Sequence, residues 1–187
     1  MTFREINVTF TVHTTRRPLA RKSSRAGFAA LGPDQFEGYA SLFNVADGAG
    51  DTVAPGAFAA SLRRRGPSQV RLLYQHFAHA PIGVWEEIAE DGRGLYVRGR
   101  LLNEIEQARD VRALLADGAI NGLSIGFRTV RARRGPKQDA RTLLEVELWE
   151  ISVVTFPLLI GSAVTTIGAR QPDLARMFRE AGAALSA

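Results

Sequence analysis

The sequence contains no cysteine. That removes a disulfide scaffold, a cysteine nucleophile and every Cys-ligated zinc or iron–sulfur site, and it fits a reducing compartment. No apolar run approaches the ~18 residues of a membrane span, so no membrane partner is expected. The first residues, MTFREINVTF, include Arg4 and Glu5. They lack the apolar stretch of a signal peptide, and none is expected. Histidine is scarce as well: His13, His76 and His79 are the only three. Any mechanism that needs an imidazole must therefore draw on very few positions.

What is present is a chain of 187 residues with a formal charge of +5. A chain of this size buries roughly 70% of its unfolded surface and needs neither metal nor disulfide to hold a core. The charge is unevenly placed. Residues 1–30 carry Arg4, Arg16, Arg17, Arg21, Lys22 and Arg25 against Glu5, six minus one, which accounts for the whole +5. The body from 31 onward is neutral. A neutral globular body with a basic arm is not a basic-faced nucleic-acid binder, so no specific nucleic-acid partner is expected. The arm could still touch an acidic surface without sequence preference.

Periodicity gives the elements. Ile6, Val8, Phe10 and Val12 alternate with polar residues, so 3–13 reads as a strand. Residues 14–34, rich in basic, Ser, Gly and Pro residues without period, read as a mobile linker. Strands follow at 36–43 and 69–75. Residues 44–51 read as a loop, and 55–65 as a short helix with Pro55 in its first turn. The segments 82–90 and 94–102 flank a tight turn as a hairpin. Ile105, Ala108, Val111, Arg112 and Leu115 fall at helical spacing, and Gly118 sits where a helix ends, so 103–117 is a helix. Strands are expected at 122–132, 140–156 and 163–167, and a last helix at 172–185. The sum is a strand-and-arm segment over 1–34, a domain over 35–168 and a helical tail over 169–187. The domain is mainly β with inserted helices, a largely antiparallel barrel or closed sheet.

Three places could carry chemistry. His76 and His79 lie in QHFAHAPIG, in the loop leaving a strand, where catalytic groups often sit. Two histidines in a loop are a weak metal signal without a third ligand, and a solvated surface histidine is the plain alternative. His13, at the end of its strand, reads as solvated. Ser124 lies in NGLSIGF. Leu123, Ile125 and Phe127 share the core face of that strand; Ser124 and Gly126 share the other. Gly126 leaves the space beside the Ser124 hydroxyl open to a substrate backbone, as a nucleophile requires. An ordinary outward-facing serine fits the same pattern.

On the next strand Glu145 and Glu147 share one face. Glu150 shares the other with Val146, Leu148 and Val154 if the strand stays regular. A carboxylate on an apolar face needs a partner. That partner is either a histidine it orients or a structural arginine. A bulge near Trp149 would change the faces.

Taken in order, FEGYASLF (36–43), GDTVAPGAF (50–58), LLYQH (72–76), PIGVW (81–85), GLYVRGRL (94–101), DGAINGLSIGF (117–127) and LWEISVVTFP (148–157) resemble the prohead protease family of tailed double-stranded DNA phages. The resemblance spans roughly 36–167. It implies a fold similar to the herpesvirus assembly proteases, a β-barrel ringed by α-helices. It implies Ser124 as nucleophile and His76 as base. The herpesvirus relatives use a second histidine as third member, which this chain lacks after His79, so Glu150 is expected there in preference to Glu147. His79 takes no role, and no residue matches the arginine-associated oxyanion donors of those enzymes. The resemblance implies no cofactor and no metal. The implied substrate is scaffold, or the scaffolding segment of the major capsid protein, and the protease itself, inside a procapsid in the host cytoplasm. A homodimer on the herpesvirus pattern is left open. The competing reading is a non-enzymatic capsid assembly module of the same fold.

Overall fold

The computed structural model describes residues 30–134 and 140–169. The strand expected at 3–13, residues 14–29 of the expected linker and the helix expected at 172–185 lie outside those residues. Eight strands are described: β1 Gln35–Leu42, β2 Asp51–Val53, β3 Arg71–Tyr74, β4 Pro81–Glu90, β5 Gly94–Leu101, β6 Gly122–Arg134, β7 Arg141–Val154 and β8 Ala163–Ile167. Two helices interrupt them, α1 Ala59–Arg65 and α2 Glu106–Ala116.

The pairing order is β2-β7-β3-β4-β5-β1-β8-β6, and β6 returns to β7, so seven strands close a barrel. β2 and β3 share one edge of β7, on its first and last residues, and β6 runs along the other. The barrel is antiparallel except that β2 and β3 run parallel to β7. The mainly β architecture expected from the sequence is therefore the one observed.

Alternation dictates the core. Leu123, Val146, Leu148, Ile151, Leu72, Ile82, Leu95 and Val97 are buried inside the barrel. Phe36 and Trp85 meet edge to face with centroids 5.6 Å apart. Gly99 makes room for that pair, since a Cβ there would lie 2.9 Å from both rings. On α2, Ala108, Val111 and Leu115 are the buried residues, matching the helical spacing of the sequence. Gly118 follows the helix with φ 71, the left-handed conformation that commonly ends one.

Two boundaries differ from expectation. α1 begins at Ala59 rather than at 55, because Gly56 has φ 86 and breaks the helical path. The backbone N–H of Phe58, which would otherwise lack a partner, donates to Glu90 Oε1 at 2.8 Å. β2, three residues long, has no periodic signature and lies at the end of the expected loop and just beyond it. Residues 33 and 34, expected within the linker, belong to the barrel: Arg112 donates to the Pro33 carbonyl at 2.8 Å and pairs with Asp34 at 3.3 Å.

Candidate active site

The site forms where β6 and β7 lie side by side and the turn after β3 folds over them. Ser124 stands directly opposite Ser152, and Gly126 opposite Glu150. Directly opposed residues point to the same face with Cβ atoms roughly 5 Å apart. Four positions thus share one patch on the outer wall.

Glu150 reaches that patch because β7 does not stay regular. Gly126 pairs with Glu150 but Phe127 pairs with Leu148, which leaves Trp149 without a partner on β6. This is a β-bulge, an extra residue that shifts the alternation by one. Leu148 and Ile151, three apart, both remain fully buried, while Trp149 is pushed out to 41% exposure. The expectation that Glu150 shares a face with Val146 and Leu148 is corrected accordingly, while Val154, on the same side of the bulge, stays on the face of Glu150. The bulge takes Glu150 off the apolar face and sets it beside Ser124.

Gly126 also has a different use from the one expected. Its missing side chain leaves space for the Glu150 carboxylate, not for a substrate backbone. A Cβ at 126 would run into Glu150 Oε1 and lie within 2.8 Å of Glu150 Cδ and Cγ.

His76 arrives on a tight turn. Gln75 and His76 both have positive φ, 52 and 61, and the Phe77 N–H donates to the Tyr74 carbonyl at 3.0 Å. Two consecutive left-handed residues match a type I′ turn, which favours Asn and Gly. Gln and His there cost on the order of 1–3 kcal/mol each, a strain that tends to cluster at functional sites. Neighbouring groups hold the turn. The Gln75 N–H donates to the Val153 carbonyl at 3.0 Å, and the Gln75 side chain donates to Thr155 Oγ1 at 2.7 Å. The His76 N–H donates to Ser152 Oγ at 3.1 Å.

The result is a connected set. His76 Nδ1 meets Glu150 Oε1 at 2.7 Å, and Ser152 Oγ donates to Glu150 Oε2 at 2.7 Å. A carboxylate only accepts, so Nδ1 carries the proton and the lone pair of a neutral ring lies on Nε2. The Glu150 side chain is 14% exposed and the His76 side chain 44%. Ser124 makes no side-chain hydrogen bond among the described residues, to His76 or to any other group. Such contacts are often long before substrate binds. Ser152 was not singled out in the sequence, although it sits two residues after Glu150 in LWEIS, where strand alternation puts it on the same face.

The other candidates fall elsewhere. Glu147 accepts from Arg65 at 2.8 Å and from Arg128 at 2.6 Å. The hydrogen bond from Arg128, then that from Arg65, holds its carboxyl below the usual carboxylate range. A carboxyl so depressed contributes stability above its ordinary pKa and loses it as pH falls toward the folded value. Glu147→Gln is expected to lower stability at neutral pH, by an amount that shrinks in acid, while processing stays near the native rate. Melting curves across pH beside a processing assay test this; loss of processing in a folded Glu147→Gln protein would reassign the acid. His79 is exposed and stacks on Phe77, with ring centroids 5.5 Å apart. His13 lies outside the described residues.

Residues 19–177 match the sequence family described as caudovirus prohead serine protease. The chain belongs to that family. A curated prohead protease of Enterobacteria phage HK97 is 39% identical over 127 residues, covering 65% of this chain and 55% of that protein. The chain thus spans about half the length of the relative it matches. The capsid assembly protease of bacteriophage T4 has a similar fold, with a TM-score of 0.55 at 14% identity over 66% of this chain and 82% of that one. A KSHV protease in complex with a hexapeptide phosphonate inhibitor aligns with a TM-score of 0.49 at 11% identity, over 70% of this chain and 63% of that one.

Proposed function

We propose that this chain is a serine endopeptidase that cleaves scaffold, or the scaffolding segment of a major capsid protein, and itself, during procapsid maturation. Ser124 is the nucleophile, His76 the general base and Glu150 the carboxylate that orients it. The observation that carries this reading is the His76–Glu150 contact on the face of Ser124, in a chain of the prohead protease family.

The steps follow from the proton positions. Glu150 holds the Nδ1 proton, so Nε2 takes the proton of Ser124 as Oγ attacks the peptide carbonyl carbon. The tetrahedral adduct collapses when the imidazolium returns that proton to the departing amine. Water, deprotonated by the same Nε2, then attacks the acyl carbon, and the imidazolium returns that proton to Ser124 Oγ as the ester bond breaks and the carboxylic acid product leaves. Glu150 stabilises the imidazolium in both halves. Ser152 is a positioning residue: it holds Glu150 through its hydroxyl and the His76 backbone through the same oxygen. The reaction takes place in the host cell, inside the assembling procapsid, where the substrate is enclosed with the enzyme. Self-association into a homodimer would raise activity with local concentration and so delay cleavage until a shell exists.

The deciding experiment is co-expression with a candidate major capsid protein or scaffold, read by intact mass. Native chain should shorten the capsid protein or scaffold at a defined bond, and Ser124→Ala should leave it whole. Assembly without cleavage by either chain would favour the non-enzymatic assembly module instead. A further outcome concerns Ser152: Ser152→Ala is expected to lower kcat with KM nearly unchanged. It should also shift the pH at which activity is half-maximal, which a purely structural role would not do.

A further inference from the structure

The neutral body of this chain carries a basic face, and that face begins at Ser124. Cross-strand pairing fixes which side chains share it. Ser124 stands opposite Ser152, Gly126 opposite Glu150 and Arg128 opposite Glu147. One extra residue on β6, Val130, then shifts the register, and Arg131 stands opposite Glu145. Arg133 follows opposite Thr142, the neighbour of the buried Leu143. Opposed residues point to the same side of a sheet. Ser124, Gly126, Arg128, Arg131 and Arg133 therefore succeed one another along the outer wall. Across β7, Arg71 of β3 stands beside Glu150, and since its neighbour Leu72 is buried, Arg71 points outward as well.

The charges on this wall do not cancel. Glu147 is shared by two guanidinium groups, Arg65 and Arg128, so that cluster keeps one positive charge. Arg71, Arg131 and Arg133 are exposed and make no ion pair among the described residues. Arg65, Arg71, Arg128, Arg131 and Arg133 stand against Glu145, Glu147 and Glu150, five minus three, a surplus of two. Glu150 is already engaged by His76 and Ser152.

We propose that this wall binds acidic side chains of the polypeptide substrate, about four to six residues from the scissile bond. The proposal rests on the proteolytic reading of Ser124. A strand advances about 3.3 Å per residue, so Arg128 lies roughly 13 Å along β6 from Ser124 and Arg131, past the bulge, roughly 20 Å. An extended peptide leaving the nucleophile along the wall covers the same distance in about four to six residues of its own. Aspartate or glutamate there meets guanidinium groups, the cations best shaped for a carboxylate. The order of charges favours a polypeptide over a nucleic acid. Glu145 and Glu147 lie within the wall and would repel a continuous run of phosphates. Carboxylates spaced along a peptide can reach the arginines and pass those two acids by.

The test uses the full chain and a peptide library made by cleaving a proteome at methionine, with new cuts read by mass spectrometry. Aspartate and glutamate should be enriched about four to six residues from the new cuts. Arg131→Ser with Arg133→Ser removes two exposed side chains that make no hydrogen bond or ion pair among the described residues. Exposed ion pairs are individually weak, so losing both should lower the ratio of cuts in acid-flanked peptides to cuts in uncharged ones roughly tenfold. Arg131→Glu with Arg133→Glu should turn the enrichment toward lysine and arginine. Cuts with no acidic enrichment, or an enrichment that these variants leave unchanged, overturn the proposal and leave proteolysis standing. Absence of any cut counts against proteolysis, and the wall is then decided by binding alone. To Ser124→Ala, a fluorescent peptide of alternating glutamate and serine should bind at least about tenfold tighter than one of alternating glutamine and serine. Arg131→Ser with Arg133→Ser should remove the difference. Equal affinities overturn the proposal, and so does a single-stranded oligonucleotide of the same charge that binds tighter than the glutamate peptide.

Discussion

Ser124→Ala and His76→Ala are each expected to lower processing by on the order of a millionfold, and the double variant to be no slower than either alone. The non-additivity follows from the proton path. Without an imidazole Nε2 the Ser124 hydroxyl stays protonated, and without the hydroxyl the imidazole has nothing to activate. Neither loss can be blamed on the fold. Ser124 makes no side-chain hydrogen bond among the described residues, and surface changes of that kind usually stay within about 0.5 kcal/mol. His76 is an exposed turn residue whose backbone N–H, the group bonded to Ser152, survives the change to alanine. His79→Ala should keep most activity, since its ring touches Phe77 and faces solvent. Single-turnover cleavage of the co-purified capsid substrate, with melting curves on each variant, measures all of this. A processing-dead His79→Ala beside an active His76→Ala would move the base to the other histidine.

Much of this was legible in the residues. The alternation in GLSIGF places Leu123 inside and Ser124 outside, and the structure agrees. The spacing of Ala108, Val111 and Leu115 names the buried face of α2. Such patterns are visible because burial selects side chains at a fixed period. What was not legible depends on departures from a period or on contacts distant in sequence. The bulge at Trp149, open as an alternative in the sequence, adds one residue to β7 and reverses the face of Glu150 relative to Leu148, and alternation alone does not decide that it forms. The left-handed turn at Gln75 and His76 uses residues that disfavour it, because side chains and carbonyls some 80 positions away hold it. The parallel pairing of β3 with β7 joins segments separated by most of the domain. Each of these features helps place a site residue, which is where local preference and function most often disagree.

Gly126→Ala is expected to behave like Glu150→Gln, although it changes no titratable group. The added Cβ would occupy the position of the Glu150 carboxylate, so that side chain must leave. Once displaced, Glu150 no longer meets His76 Nδ1, and nothing fixes the proton on that nitrogen. Neutralising an orienting carboxylate in a triad costs about 10⁴ in turnover. Gly126→Ala and Glu150→Gln should each approach that loss, and the pair together should lose no more than the worse of the two. The fold should survive, because the atoms that give way are the end of one flexible side chain. Gly38 and Gly94 are the controls: a Cβ there would run into the backbone carbonyls of Ala163 and Ser41, so alanine at either should cost stability outright. A rescue separates orientation from general damage. Glu150→Asp, one methylene shorter, should recover part of the activity lost in Gly126→Ala while lowering activity in the native background. A fully active Gly126→Ala would show that the His76–Glu150 contact is not needed for turnover and that Ser124 and His76 work as a dyad.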